Sequence, residues 1–210
     1  MNKFLGGVLI FFFSLVAINW FVAALVGALP TFPSTAIGQT INPYGSSGLS
    51  SINFNLFAKG GIGQSYITQG YGRTPYSSIY PNDWHDGIDI GAVYGAPIYS
   101  PNDGVIIATG DQDDYCYHRG FGKYVAIRDP KNNLVLWYAH LGTIDVSAGE
   151  AIAKNTEIGT VGATGLETGT HLHFSIFDAN GFTVEPRNGC GPEPTGQDLN
   201  PLNYLGSVYN

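Results

Sequence analysis

The sequence predicts a mainly β, antiparallel domain preceded by one N-terminal transmembrane helix. From Gln64 onward, short runs rich in β-branched and aromatic residues alternate with turns that contain Gly, Pro and Asn. This spacing is typical of antiparallel sheets, and no long amphipathic helical pattern interrupts it. Before that point, Phe4 to Leu29 is apolar and carries no charge. We therefore expect the two parts of the chain to lie in different environments, the first in a membrane and the second in water.

The apolar run is long enough, at about 1.5 Å per residue, to cross a bilayer core of roughly 30 Å with some tilt. We expect residues 1–30 to form a signal anchor. A cleaved signal peptide and a buried helix are the alternatives. Lys3 favours an N-terminus inside the cell. The following domain would then be anchored outside the cytoplasm, in the cell envelope or periplasm, or would be secreted if the segment is cleaved.

Residues 31–63 are rich in Gly, Ser, Asn and Pro and predict a linker. Within it, residues 51–57 alternate polar and apolar side chains, which places Ile52, Phe54 and Leu56 on one strand face. Part of the linker is therefore expected to pack on the domain formed by residues 64–210.

The strands expected in that domain follow its apolar runs. They are Tyr66–Gln69, Gly87–Ile90, Pro97–Tyr99, Gly104–Thr109, Lys123–Arg128, Leu134–His140, Glu157–Val161 and His171–Phe177. The 29 glycines of the chain suit the tight turns and bulges of such a domain.

Charge and cysteine content restrict the partners and the compartment. The net charge is −7, and all 16 acidic residues follow residue 63, which argues against binding to nucleic acid. The only two cysteines are Cys116 and Cys190. An exported domain meets oxidising conditions, so we expect a disulfide between them, with two unpaired thiols as the alternative.

Histidines carry the strongest functional signal. His171 and His173 flank Leu172 in an apolar run, so both imidazoles lie on one face of a strand. His85 and Asp89 form a second pair, and Asp89 lies opposite its isoleucine neighbours. With His173 they make a set of ligands that zinc accepts, leaving a position for water. Taken alone, two structural histidines on the strand would be equally consistent with the pattern.

His140 ends the apolar run of Leu136 to Leu141, just before an expected turn at Gly142 and Thr143. A polar group at a strand end commonly belongs to a site, and a half-exposed surface histidine is the alternative.

These segments together resemble peptidase family M23, the lysostaphin/LytM-type zinc endopeptidases. The resemblance covers residues 65–178 and follows an ordered series of motifs. They are Ile67–Arg73, His85–Ile90, Ala96–Val105, Tyr138–Leu141, Gly162–Gly165 and Thr168–Phe174, with a family-like ending at Asn200–Leu205.

The resemblance implies a lysostaphin/LytM-type fold, a duplicated hybrid motif, and one zinc ion per chain. His85, Asp89 and His173 would bind the zinc. His140 and His171 would be catalytic, with His171 as the base and His140 as the oxyanion stabiliser. Tyr80, with Tyr76 as the other candidate, would add a second oxyanion stabiliser. The implied substrates are the peptide cross-links or stem peptides of peptidoglycan.

Two further functions stay open on the sequence. A LytM-type domain of this kind can be a non-catalytic wall binder or activator, although its ligand positions are all filled. The chain could also be the wall-opening component of a secretion or conjugation complex in the envelope. A separate hypothesis is autoinhibition, in which an asparagine of the linker such as Asn53 or Asn55 reaches the zinc.

Overall fold

The computed structural model describes Leu56, residues 66–186 and residues 190–205. The expected transmembrane helix over residues 1–30 lies outside this range, as do Asn53 and Asn55 of the linker. Within the described part, no helix is long and apolar enough to span a bilayer.

The described residues form strands joined by turns and short 3₁₀ helices. The strands are β1 (Tyr66–Gln69), β2 (Ile88–Gly91), β3 (Pro97–Tyr99), β4 (Gly104–Asp111), β5 (Lys123–Asp129), β6 (Leu134–Ala139), β7 (Leu141–Ile144), β8 (Ala151–Ile152), β9 (Glu157–Val161), β10 (His171–Asp178), β11 (Thr183–Pro186), β12 (Pro192–Thr195) and β13 (Asp198–Leu199). The 3₁₀ helices are Ser77–Ile79, Pro81–Asp83, Gln112–Asp114 and Pro201–Asn203.

These strands build one large sheet, one small sheet and one hairpin, all antiparallel. The large sheet has the order β1-β2-β10-β6-β5-β4-β8, and β13 pairs with the far end of β10. The small sheet has the order β3-β9-β7, and β11 pairs with β12. The mainly β, antiparallel fold class is therefore confirmed.

The central strands of the large sheet are buried on both faces. On the inner face, side chains of β2, β5, β6 and β10 pack against the small sheet in one apolar core; Ile88, Leu136, Phe174 and Val161 are members. On the outer face a second cluster forms around Trp137 and is partly covered by residues that follow β10. Burial on both faces explains why β6 is apolar at every position.

Most expected strands occur within one or two residues of their expected bounds, and the differences are local. The expected strand Leu134–His140 ends at Ala139, and the expected turn at Gly142 and Thr143 is wrong because strand β7 runs through it. His140 separates β6 from β7 with a left-handed φ of 59°. Leu56 is fully buried in the inner core, and its carbonyl accepts a hydrogen bond from the Tyr99 N–H at 2.9 Å.

The expected disulfide is present between Cys116 and Cys190. It joins the loop after β4 to the residue two positions before β12. In the same place the Gln112 side chain donates to the Pro192 carbonyl at 2.6 Å. The loop between β4 and β5 is thereby fastened to the β11–β12 hairpin.

Candidate metal centre

The outer face of the large sheet carries a row of polar residues beside the Trp137 cluster. On β10, Leu172 and Phe174 belong to the inner core, so alternation places His171, His173 and Ser175 on the outer face. β2 lies next to β10, and its Asp89 is directly opposite His173 in the antiparallel register. Cross-strand partners of this kind have adjacent side chains.

His85 reaches the same point from the turn before β2. Its backbone N–H and C=O pair with the C=O and N–H of Gly72, at 3.1 and 2.8 Å. Its Nδ1–H donates to the Gly70 carbonyl at 2.7 Å. This contact assigns the tautomer in which Nε2 keeps a lone pair, and it fixes the ring orientation.

The three predicted ligands come together as a compact, buried donor set. His85 Nε2 lies 3.1 Å from His173 Nδ1 and 3.2 Å from Asp89 Oδ1, and His173 Nδ1 lies 3.0 Å from Asp89 Oδ1. These three atoms lie within 4.8 Å of one another, and all three residues are buried. Two imidazole nitrogens and one carboxylate oxygen fit a catalytic zinc site that retains an open position.

The electrostatics of this set favour a cation between the side chains. Burial by itself would raise the pKa of Asp89, but hydrogen bonds and charge from His173 and His85 outweigh it and lower that pKa. Burial would likewise lower the pKa of His173, but Asp86 and Asp89 outweigh it and raise the pKa to about 9. A proton on His173 thus supplies positive charge where a metal ion would otherwise supply it.

His140 stands beside the donor set and is held by backbone groups. Its N–H donates to the Phe121 carbonyl at 2.9 Å, and its Nδ1–H donates to the Thr164 carbonyl at 2.7 Å. Its ring centroid lies 5.9 Å from that of His173. Burial, reinforced by the charges of His173 and His171, lowers the pKa of His140 to about 3. The ring is therefore neutral at neutral pH, with its Nε2 lone pair available.

His171 lies next to His140 at the same site. Its Nδ1–H donates to the Gly169 carbonyl at 2.6 Å, and its Nε2 lies 3.5 Å from Asp89 Oδ1. The ring centroids of His171 and His140 are 4.8 Å apart. Both histidines thus lie close to the candidate ligands, and each has its Nδ1 held by a backbone carbonyl.

Of the two candidate tyrosines, only Tyr80 lies at the site. Its ring stacks on His85 with centroids 5.1 Å apart. Burial and the charges of Asp89 and Asp86 raise the pKa of the Tyr80 hydroxyl, so it stays protonated and able to donate. Tyr76 is 66% exposed, and no described contact joins it to the ligands.

Comparison with known proteins agrees with this site. Residues 83–186 match the family model described as Peptidase family M23, and this range holds all of the predicted ligands and both additional histidines. The chain carries a domain of peptidase family M23.

A curated relative of the M23 domain is the peptidoglycan DD-endopeptidase ShyC of Vibrio cholerae. It is 38% identical over 103 residues, which are 49% of this chain and 22% of the relative. The first curated relatives are all covered over less than a third of their own length. The names of these relatives therefore refer to proteins much longer than the segment they share with this chain.

Solved structures show the same fold. A zinc-containing peptidase from Vibrio cholerae superposes with a TM-score of 0.51 at 27% identity, covering 69% of this chain and 39% of that one. A mutant catalytic domain of the prophage-encoded M23 protein EnpA from Enterococcus faecalis gives a TM-score of 0.52 at 24% identity. It covers 74% of this chain and 98% of that one, and it supports the fold alone.

A groove of about 870 Å³ in the M23 domain is lined at the candidate site by His173 and His140. One wall comes from the two 3₁₀ helices before His85, through Ile79, Tyr80 and Asn82. The opposite wall comes from the β11–β12 hairpin, including Glu185 and Glu193. A second, smaller depression lies beyond His171. The M23 domain therefore has open space beside His140 and His173 and, separately, beside His171.

The sequence did not indicate two residues that contact the ligands. Asp86 Oδ1 lies 3.4 Å from His173 Nε2, and Ser175 Oγ lies 2.7 Å from the same nitrogen. Ser175 shares the i, i+2 alternation of His171 and His173, which was the one available signal for it. His118, in the loop after β4, is exposed and lies outside the donor set.

Proposed function

We propose that the chain is a zinc-dependent endopeptidase that hydrolyses peptide cross-links or stem peptides of peptidoglycan. The observation that carries the proposal is the buried set of His85 Nε2, Asp89 Oδ1 and His173 Nδ1, of which His173 lines a groove. The printed name of the Vibrio cholerae relative, a peptidoglycan DD-endopeptidase, supports the substrate class.

The chemistry follows from the positions of the groups around the ligands. A zinc ion held there supplies a Lewis acid that acidifies water and polarises the scissile carbonyl. His171, whose Nδ1 is held by the Gly169 carbonyl and whose Nε2 lies near Asp89, would accept a proton from the attacking water. His140, beside the donor set, and Tyr80, whose ring stacks on His85 and whose hydroxyl stays protonated, would stabilise the oxyanion by hydrogen bonding.

A non-catalytic wall binder is the less favoured function. A binding module needs neither a complete ligand set nor additional histidines with fixed tautomers, and this site has both. We further propose, from the sequence alone, that the domain acts outside the cytoplasm, tethered by residues 1–30. From the sequence alone we also propose association with a secretion or conjugation complex in the envelope.

The decisive experiment incubates the full chain and zinc with defined muropeptides and identifies the products by mass. We expect new peptide termini from the wild-type chain and no product above background from His85→Ala or His173→Ala, because each variant removes one of three ligands. His118→Ala is the matched control, since that histidine is exposed and outside the set. Wild-type cleavage rates in either ligand variant would refute the metal assignment.

A further inference from the structure

We propose that Ser175 and Asp86 are positioning residues that together hold the His173 imidazole with Nδ1 directed at the metal position. The proposal rests on the proposed function, because it assumes that His173 is a ligand. It assigns a role to two residues that do not themselves belong to the donor set.

Ser175 makes the closest contact to the ring nitrogen that faces away from the donor set. His173 Nε2 lies 2.7 Å from Ser175 Oγ, and Ser175 is fully buried. If Nε2–H donates to this hydroxyl, Nδ1 must carry the lone pair that a metal requires. Without this partner the buried Ser175 hydroxyl would be left unsatisfied, which is destabilising. The contact therefore stabilises both the serine and the orientation of the imidazole.

Asp86 adds a carboxylate to the same nitrogen. Its Oδ1 lies 3.4 Å from His173 Nε2, and its side chain is 32% exposed while that of His173 is 4% exposed. A carboxylate behind a ligating imidazole increases the basicity of the nitrogen that faces the metal. Asp86 also compensates charge, because a divalent cation with Asp89 as its only carboxylate ligand remains positively charged.

Close packing between the start of β2 and β10 restricts the position of the His173 ring. A Cβ at Gly87 would lie 2.6 Å from Ser175 Oγ and 2.9 Å from His173 Cε1. Only glycine at this position therefore allows the segment from Asp86 to Asp89 to approach the His173 ring so closely. The Phe121 ring packs on another side of the imidazole, at 5.4 Å between centroids, so rotation of the ring is restricted by packing as well as by hydrogen bonds.

The test measures zinc affinity, which does not depend on turnover. Full-length wild type, Ser175→Ala and Asp86→Asn are stripped of metal and titrated with zinc against a chromophoric chelator. We expect each variant to bind zinc about 10-fold more weakly, the lower end of the usual effect of losing such a partner. Asp83→Asn is the control, because it removes an exposed carboxylate three positions from Asp86 whose partner is Arg73.

Folding is monitored separately by the melting temperature of the metal-free chains and by formation of the disulfide. Unchanged values with weakened zinc binding support positioning over a structural role. Zinc affinities of Ser175→Ala and Asp86→Asn within twofold of wild type would overturn the proposal, and so would an equal loss in Asp83→Asn. Failure of the wild type to bind zinc at all would instead overturn the proposed function on which it depends.

Discussion

Gly87 determines how closely the metal-ligand strand can approach β10. A methyl group there would meet Ser175 Oγ, the Phe174 carbonyl oxygen and the His173 ring, all within 2.9 Å. We expect Gly87→Ala to separate β2 from β10, lowering the free energy of unfolding by about 1–3 kcal/mol, as overpacking does. Zinc affinity should fall by 10-fold or more, because the ligands come from both sides of this contact.

Gly70→Ala is the matched control for that substitution. Gly70 also contacts the site, through its carbonyl to His85, but a Cβ there meets nothing within 4 Å. Chemical denaturation and chelator competition compare the two variants. Equal behaviour of Gly87→Ala and Gly70→Ala would show that the close approach of the strands is not needed.

Among individual residues, the candidate metal ligands are easier to predict from the sequence than the residues that position them. The candidate ligands His85, Asp89 and His173 could be named from residue type, strand alternation and the M23 resemblance, none of which needs knowledge of which strands pair. Asp86 and Ser175 contribute only because β2 and β10 are neighbours in one particular register, and no local pattern contains that information. Tyr80 is likewise placed by the 3₁₀ helices on either side of it and not by a strand.

The disulfide and the Gln112–Pro192 hydrogen bond connect the β4–β5 loop to one wall of the groove. Because the bridge spans 74 residues of sequence, its loss should lower the free energy of unfolding by about 4 kcal/mol in the chain-entropy description. We expect Cys116→Ser to lower the melting temperature by roughly 10 °C. Scanning calorimetry of the oxidised chains measures this change.

The second cysteine provides the internal control. If the bridge alone is responsible, Cys190→Ser and the double variant should melt at the same temperature as Cys116→Ser, since each already lacks the bond. Reduced wild type should join them. A reduced wild type that melts with the oxidised one would contradict a stabilising role for the bridge.

Elements with strong local patterns were predictable, and elements defined by pairing were not. β5, β6 and β10 are apolar runs buried on both faces, so their bounds follow from composition. β7 begins immediately after His140. Its Gly142 and Thr143 resemble a turn in sequence, but Thr143 pairs with Thr160 of β9 and Gly142 lies at a shift in the register. β11 and β12 contain prolines and glutamates and lack a regular alternation of polar and apolar residues. They are therefore recognised as strands only from their pairing in the structure.

At the scale of the whole domain, the metal centre joins segments that are far apart in sequence. His85 and Asp89 lie near the start of the described range, and His173 lies on β10, which pairs with β2, β6 and β13. A ligand that binds only the folded arrangement stabilises the whole domain by mass action. Zinc should therefore act on global stability and not on the groove alone.

We expect zinc at a hundredfold excess over its dissociation constant to stabilise the domain by about 2.7 kcal/mol. This corresponds to a rise in melting temperature of roughly 5–10 °C, which an excess of chelator should reverse. Calorimetry with and without chelator measures the shift for wild type, His118→Ala and His173→Ala. The first two should shift equally, because His118 is exposed and outside the donor set, whereas His173→Ala removes a ligand from the strand that joins β2 to β6. A full shift in His173→Ala would mean that the stabilising ion binds elsewhere. It would contradict the assignment of His173 as a ligand of the proposed zinc centre.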